Sequence, residues 1–254
     1  MKAKANIILH CGLIFLLAGF PFLAATATSS SKTGIIIPLY SYPTDKSWSS
    51  LIQLKQAHPS IPFIAIINPG NGPGRSVDSN YIKGIDNLKA SGITVIGYVY
   101  TDYGARSPSI LKNEMISYKQ WYGVSGIFFD EMGSSKNLLG YYKALAAEAV
   151  ALHFSLTVGN PGTTIDANLV GIFSNLCIYE NPGMPTLTQI SAYSSYGKHG
   201  FSYIAFSVSG LPSQNALKST TPYVGYLYVT NLGGSNPYDG LPSYLEKELS
   251  ILSQ

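Results

Sequence analysis

The sequence has few charged residues, since only 11% of its 254 residues are Asp, Glu, Lys or Arg. Average soluble domains hold about 25%. Nucleic-acid binding requires a basic stripe or patch, so this composition argues against a nucleic-acid partner. Hydrophobic residues make up 46% of the chain, and 19 residues are tyrosines. The chain can therefore bury a large core beneath a hydroxyl-rich surface, a composition that suits an extracellular protein.

Cysteine and metal-binding patterns are equally scarce. Of the two cysteines, Cys11 lies in the N-terminal apolar run, which leaves Cys177 alone in the rest of the chain. This excludes an intrachain disulfide and a cysteine-based zinc site in that part. The four histidines are scattered and form no HExxH pattern. The sequence therefore predicts neither a metal site nor a cofactor.

Two common catalytic motifs are also missing. The chain has no Gly-x-Ser-x-Gly, so a nucleophile elbow is unsupported. The glycine-rich stretch 68–75 lacks the GxxxxGK[ST] pattern of phosphate-binding loops and carries prolines, which have no N–H to donate. We interpret this stretch as a rigid loop over the site.

One long hydrophobic run is present, from Ile7 to Leu23. Lys2 and Lys4 precede it, and small residues follow at 25–27, the arrangement of a secretory signal peptide. We therefore predict a signal peptide at 1–27, a linker at 28–33 and a secreted mature chain without membrane contact. Cleavage would lower the net charge by two from +3. An uncleaved membrane anchor is the alternative.

After the linker, short apolar runs alternate with helical patterns. Runs that are apolar throughout are typical of parallel strands buried on both faces. The eight runs are Ile35–Tyr40, Pro62–Ile67, Thr94–Tyr98, Gly126–Asp130, Phe154–Val158, Leu176–Glu180, Tyr203–Val208 and Tyr223–Tyr228. Their spacing predicts a single α/β domain at 34–254, a (β/α)8 TIM barrel. An open, doubly wound sheet is the alternative.

Helix-start signals stand between these runs. Asp78 is a good N-cap for a helix after the second strand. Ser107-Pro108 supplies a cap and a proline at the first helical position after the third strand. The helix after the fifth strand, near 164–170, looks short. These signals support the repeated strand-helix unit.

In a TIM barrel the active site lies at the C-terminal ends of the strands. Acids that end apolar strands are costly to place there without a use. The candidate catalytic residues are therefore Asp130, Glu131 and Glu180. Other polar or aromatic side chains at or near strand ends are predicted to bind substrate, namely Tyr40, Asn68, Tyr98, Asp102, Tyr103, Asn160 and Tyr228.

Side-chain alternation sharpens the prediction for the acids. Phe128 and Asp130 share one face of their strand, as Ile178 and Glu180 do of theirs. Two carboxylates at the ends of the fourth and sixth strands fit a glycosidase, in which one acid protonates the leaving oxygen and the other attacks the anomeric carbon or activates water. Structural roles are the alternatives: Asp130 capping the next helix, Glu180 pairing with a Lys or Arg, or the acids holding a divalent metal.

These residues stand in stretches that resemble the spherulation-specific family 4 (spherulin-4-like) proteins. The matching stretches are 38–43, 57–59, 65–74, 97–106, 126–131, 160–162 and 179–180, and the resemblance covers nearly all of the chain from residue 34. It implies a (β/α)8 fold and an activity similar to that of endo-acting glycosidases that cleave α-1,4-linked N-acetylgalactosamine in galactosaminogalactan, a secreted polysaccharide. The family's essential acids carry over to Asp130, Glu131 and Glu180.

The leading hypothesis is therefore a monomeric, secreted glycoside hydrolase with a polysaccharide or oligosaccharide substrate. Asp130 and Glu180 would be its acid/base and nucleophile, in either order, while Glu131 tunes their pKa values or contacts the sugar. One alternative is a non-catalytic carbohydrate-binding or matrix-associated barrel. Another is a different barrel hydrolase, including a metal-assisted one.

Overall fold

Eight parallel strands form a closed barrel in the computed structural model. Each strand pairs with the next, and the eighth returns to the first. The strands are β1 (Gly34–Leu39), β2 (Phe63–Ile67), β3 (Thr94–Tyr100), β4 (Gly126–Asp130), β5 (Leu156–Gly159), β6 (Asn175–Pro182), β7 (Phe201–Phe206) and β8 (Tyr226–Val229). The predicted TIM barrel is confirmed, and the open doubly wound sheet is wrong.

The structure describes residues 32–254. The predicted signal peptide at 1–27 lies outside these residues, as does most of the predicted linker at 28–33. Within 32–254, no helix combines the length and the apolar character needed to cross a membrane.

Seven α-helices lie between and after the strands in this part of the chain. They are α1 (Lys46–Ala57), α2 (Ser79–Ala90), α3 (Pro108–Ser117), α4 (Leu139–Ala151), α5 (Leu187–Ser191), α6 (Gln214–Thr220) and α7 (Leu245–Ser253). Asp78 caps α2 as predicted, with its Oδ1 accepting from the N–H of Asn80 at 2.8 Å. Only a single 3-10 turn, Ala167–Leu169, stands between β5 and β6.

Buried apolar side chains hold the barrel together. A small cluster contains Ile36, Ile64, Ile66, Ile96, Tyr98, Phe128 and Val158, and a much larger one joins the strands to the helices. Burying a side chain of this size contributes about 1.5–3 kcal/mol to the free energy of folding. Gly97 is required for this packing, because a Cβ there would stand 2.5 Å from the ring of Tyr118.

Two features depart from the regular barrel, namely a register shift in β6 and a buried carboxyl group in α7. The register of β6 against β7 shifts between Cys177 and Glu180, so the end of β6 does not continue the ladder at its start. In α7, Glu248 is fully buried, and neither of its carboxylate oxygens has a hydrogen-bond partner among the described residues. The first feature shapes the candidate site, and the second affects stability.

Candidate active site

One amide group brings two of the predicted acids together. Asn160, which directly follows β5, donates from its Nδ2 to Asp130 Oδ1 at 2.7 Å and also to Glu180 Oε2. Two oxygens that share one nitrogen donor lie no more than about 6 Å apart. Asp130 at the end of β4 and Glu180 near the end of β6 therefore converge over the end of β5, the strand between them.

The backbone around Asn160 fixes the orientation of this amide. The N–H of Gly162 donates to Asn160 Oδ1 at 3.0 Å, so the amide oxygen is engaged and the NH2 group faces the carboxylates. The N–H of Glu180 in turn donates to the carbonyl of Gly162 at 3.1 Å. The loop after β5 is thus pinned against the irregular end of β6. Asn160 is only 4% exposed.

A left-handed backbone turn directs Glu131 into the same cleft. Glu131 has φ +50°, and its carbonyl accepts from Thr101 Oγ1 at 2.7 Å and from the N–H of Tyr103 at 2.8 Å. Asp102 and Tyr103 also have positive φ, +48° and +51°. Such conformations cost about 1–3 kcal/mol in non-glycine residues and cluster at functional sites. Here they join the ends of β3 and β4.

The acids line a cavity of about 460 Å³. This volume falls within the range of small-molecule sites, about 300–1,000 Å³. Its lining residues are mainly polar: Tyr103, Asp130, Glu131, Asn160, Pro161, Gly162, Thr163, Glu180 and Asn181. Tyr103 is 64% exposed and presents an aromatic ring at the rim.

Burial dominates the ionisation of all three acids. It raises the pKa of Asp130, although hydrogen bonds from the N–H of Glu131, from Tyr98 and from Asn160 partly oppose it. Burial, followed by the charge of Asp130, raises the pKa of Glu180. The pKa of Glu131 is also raised, first by burial and then by Asp130 and Asp102.

The described contacts of Glu180 and Asp130 differ from the ion pair and the helix cap considered as structural alternatives. Glu180 is bonded to Asn160 and Tyr238, and no Lys or Arg in the described chain forms an ion pair with it. The helical turn after β4 is capped by Ser135, rather than by Asp130. No group of three or more His, Cys, Asp or Glu in residues 32–254 is arranged to hold a metal ion.

Three tyrosines surround the carboxylates. Tyr40 and Tyr98 make edge-to-face contact at 5.8 Å, and Tyr40 makes a second one with Tyr238 at 5.6 Å. The hydroxyl of Tyr238 donates to Glu180 Oε1 at 2.5 Å. Sequence reasoning did not single out Tyr238. It lies in the long segment after β8, and its only local signal is the Asn236-Pro237 turn that precedes it.

Two residues predicted to bind substrate lie elsewhere. Tyr228 is fully buried, and the carboxylate that contributes to its raised pKa, after burial, is Glu248. Asn68 accepts from the N–H of Gly72 at 2.9 Å and holds the glycine-rich loop in shape. Neither that loop nor Asn68 lines the cavity.

The remaining predicted substrate-binding residues differ in position. Tyr103 lines the cavity, and Asp102 lies close enough to Glu131 to raise its pKa. Tyr40 and Tyr98 flank the carboxylates without lining the cavity. Asn160 lines it, but its side chain is engaged by the acids and by Gly162.

The fold and the site define a TIM barrel with a carboxylate-lined cleft at the C-terminal end of its strands. The chain belongs to the spherulation-specific family 4, whose family model matches residues 34–252. Spherulin-4 of Physarum polycephalum is 33% identical over 260 residues, covering 94% of this chain and 76% of that protein.

Solved structures share the barrel. The crystal structure of Aspergillus clavatus Sph3 in complex with GalNAc matches with a TM-score of 0.77 and 22% identity, over 89% of this chain and 99% of that one. The Bacillus cereus spore cortex-lytic enzyme SleL matches with a TM-score of 0.53 and 10% identity, over 87% of this chain and 74% of that one. At these identities the likeness concerns the fold.

Proposed function

We propose that the protein is a secreted glycoside hydrolase that cleaves an amino-sugar polysaccharide, with an endo-α-1,4-N-acetylgalactosaminidase-like activity. The observation that carries this proposal is the pair formed by Asp130 and Glu180, held on one nitrogen of Asn160 at an open cavity. Two carboxylates in this relationship are the catalytic equipment of most glycosidases. Family membership and the GalNAc bound to the similar Sph3 support the choice of sugar.

The electrostatics favour different roles for the two acids. The charge of Asp130 adds to burial in raising the pKa of Glu180, so Glu180 keeps its proton when Asp130 is ionised. Glu180 then acts as the general acid and Asp130 as the anion that faces the sugar. This division follows the rule that paired carboxylates with separated pKa values take opposite roles.

The short distance between the Asp130 and Glu180 carboxyl groups favours a mechanism that retains the anomeric configuration. Carboxyl groups about 5–5.5 Å apart are typical of retaining enzymes, whereas about 6.5–9.5 Å leaves room for an attacking water. Asp130 would attack the anomeric carbon while Glu180 gives its proton to the departing glycosidic oxygen. Water would then release the sugar from Asp130 and return a proton to Glu180.

Glu131 and Tyr103 complete the proposed substrate site. Glu131 lines the cavity beside Asp130 and would accept a hydrogen bond from a sugar hydroxyl or amide N–H. The exposed ring of Tyr103 would stack on a sugar face at the rim.

The test is cleavage of a panel of amino-sugar polysaccharides, with mass analysis of the released oligosaccharides. We expect Asp130→Asn and Glu180→Gln to lower kcat by at least about 10³-fold, since each removes one half of the acid and nucleophile pair. Asp166→Asn, at a half-buried acid that caps the turn after β5 and lies outside the cavity, is the matched control. Binding without cleavage by the wild type would instead identify a non-catalytic carbohydrate-binding barrel.

Two further measurements address the remaining parts of the proposal. Activity that survives a strong chelator supports the metal-free mechanism, and its loss would favour metal-assisted hydrolysis. N-terminal sequencing of the protein recovered from culture medium should begin at Thr28, after the proposed signal peptide at 1–27.

A further inference from the structure

Tyr238 reaches the carboxylates from a part of the chain far from both acids. It lies between β8 and α7, and its hydroxyl donates to Glu180 Oε1 at 2.5 Å, while Asn160 donates to Oε2. Both oxygens of the Glu180 carboxyl are therefore held, which fixes the plane of the group. Each oxygen keeps a second lone-pair position, so this arrangement leaves room for the proton of the acid.

The ring of Tyr238 is itself held firmly in place. Its N–H donates to Asn236 Oδ1 at 3.1 Å, and its carbonyl accepts from the N–H of Tyr40 at 3.1 Å. The ring packs edge-to-face on Tyr40 and on Phe206, with centroid distances of 5.6 and 6.4 Å, and the residue is only 8% exposed. The hydroxyl is thus aimed at Glu180 before any ligand arrives.

Tyr238 also opposes the two effects that stabilise the protonated form of Glu180. Burial and the charge of Asp130 raise the pKa of Glu180, and the hydrogen bond from Tyr238 lowers it. Burial and the Glu180 charge raise the pKa of Tyr238 itself, so its hydroxyl keeps its proton and remains a donor. A general acid must release its proton to the leaving oxygen, and the later attack of water needs Glu180 in its ionised form as a base.

We propose that Tyr238 is a positioning residue, which fixes the Glu180 carboxyl opposite Asp130 and eases release of its proton. This inference deepens the proposed function, on which its catalytic consequence rests. It assigns a task to the β8–α7 segment, which sequence analysis left without one. Tyr238→Phe removes the hydroxyl and keeps the ring, and so separates this role from simple packing.

The decisive experiment titrates the Glu180 carboxyl by NMR in protein labelled with ¹³C at the glutamate carboxyl carbons. Glu180→Gln assigns the signal, and Tyr238→Phe is compared with the wild type. We expect the Glu180 titration to move upward by about one pH unit, the size expected when a charged group loses one hydrogen bond. Tyr244→Phe is the matched control, because its hydroxyl donates to the carbonyl of Val208 at 2.9 Å, away from the acids.

A second variant protects the test against misfolding. Asn236→Ala removes the acceptor for the N–H of Tyr238 and keeps the phenol, so it should move the Glu180 titration in the same direction by less. An unchanged titration in Tyr238→Phe, or an equal shift in Tyr244→Phe, overturns the inference.

Kinetics then connect the titration to the reaction. We expect Tyr238→Phe to lower kcat about tenfold with little change in KM, and to move the alkaline limb of the pH profile upward. A wild type that cleaves none of the polysaccharides would refute the proposed function alone, because the NMR titration decides the role of Tyr238 without any substrate.

Discussion

Arg106 is paired with Glu114 on α3, and not with any carboxylate of the cleft. Its Nη2 donates to Glu114 Oε1 at 2.5 Å and its Nη1 to Oε2 at 3.2 Å. The guanidinium also lies 3.9 Å from the centre of the Tyr100 ring and donates to the carbonyl of Tyr100. The positive charge of Arg106 is close enough to offset part of the rise in the pKa of Glu131, although Arg106 forms no ion pair with the acids of the cleft.

Breaking this ion pair should cost more than breaking an exposed one. We expect Glu114→Gln to lower the free energy of unfolding by about 1–3 kcal/mol, since it strands a largely buried guanidinium. Glu148→Gln is the control, because it breaks the more exposed pair with Lys112, where screening limits the loss to less than about 1 kcal/mol. Urea unfolding of both variants measures the difference, and equal losses would contradict it.

Asn160 should be essential to the proposed activity without being essential to the fold. Asn160→Ala removes the donor shared by Asp130 and Glu180, so the pKa of each acid should rise further. We expect kcat to fall about 10²–10³-fold, the cost typical of losing one well-placed donor. Asn168→Ala, on the exposed turn after β5, is the control. Activity within twofold of the wild type would remove Asn160 from the machinery.

Two buried tyrosines should respond differently to loss of the hydroxyl. Tyr98 lowers the pKa of Asp130 through a hydrogen bond, whereas the Tyr228 hydroxyl has no hydrogen-bond partner within residues 32–254 and lies near Glu248. We expect Tyr98→Phe to lower kcat about tenfold or more and to raise the acid limb of the pH profile. Tyr228→Phe should leave kcat unchanged and stability equal or slightly higher. An equal loss of activity in both variants would contradict the placement of Tyr228.

Glu248 should make the protein less stable as the pH rises. Burial raises its pKa from 4.5 to about 8, so the folded state holds a proton that the unfolded state releases above pH 4.5. The stability present below pH 4.5 should therefore decline by a few kcal/mol as the pH rises to about 8, and then level off. Glu248→Gln should flatten this decline and raise Tm at pH 8. Parallel pH curves for the two proteins would disprove the assignment.

The sequence alone was sufficient to predict the barrel and its three acids. Continuous apolar runs identify buried parallel strands, and acids at the end of β4, directly after it and near the end of β6 are conspicuous in a chain with so few charges. Boundaries were less accurate: Tyr203–Val208 was predicted for the strand observed at Phe201–Phe206. Strand ends depend on pairing with neighbours, which a single run does not encode.

The environment of the acids could not be predicted from the sequence. Tyr228 and Tyr238 are both buried tyrosines in the last quarter of the chain, but only Tyr238 contacts an acid of the site. The difference arises from the path of a long loop and from contacts with Tyr40, some two hundred residues earlier in sequence. The bridging role of Asn160 likewise depends on the register of β6, which shifts between Cys177 and Glu180.

Asn160 links the ends of three adjacent strands, so the distance between the two acids depends on the spacing of those strands. Neighbouring strands stand about 4.8 Å apart because backbone hydrogen bonds set that interval. Asp130 and Glu180 stand two such intervals apart along the barrel wall, and their side chains converge on Asn160, which follows the strand between them. Substitutions confined to the outer helices should therefore leave the separation of Asp130 and Glu180 unchanged, provided that β4, β5 and β6 keep their order.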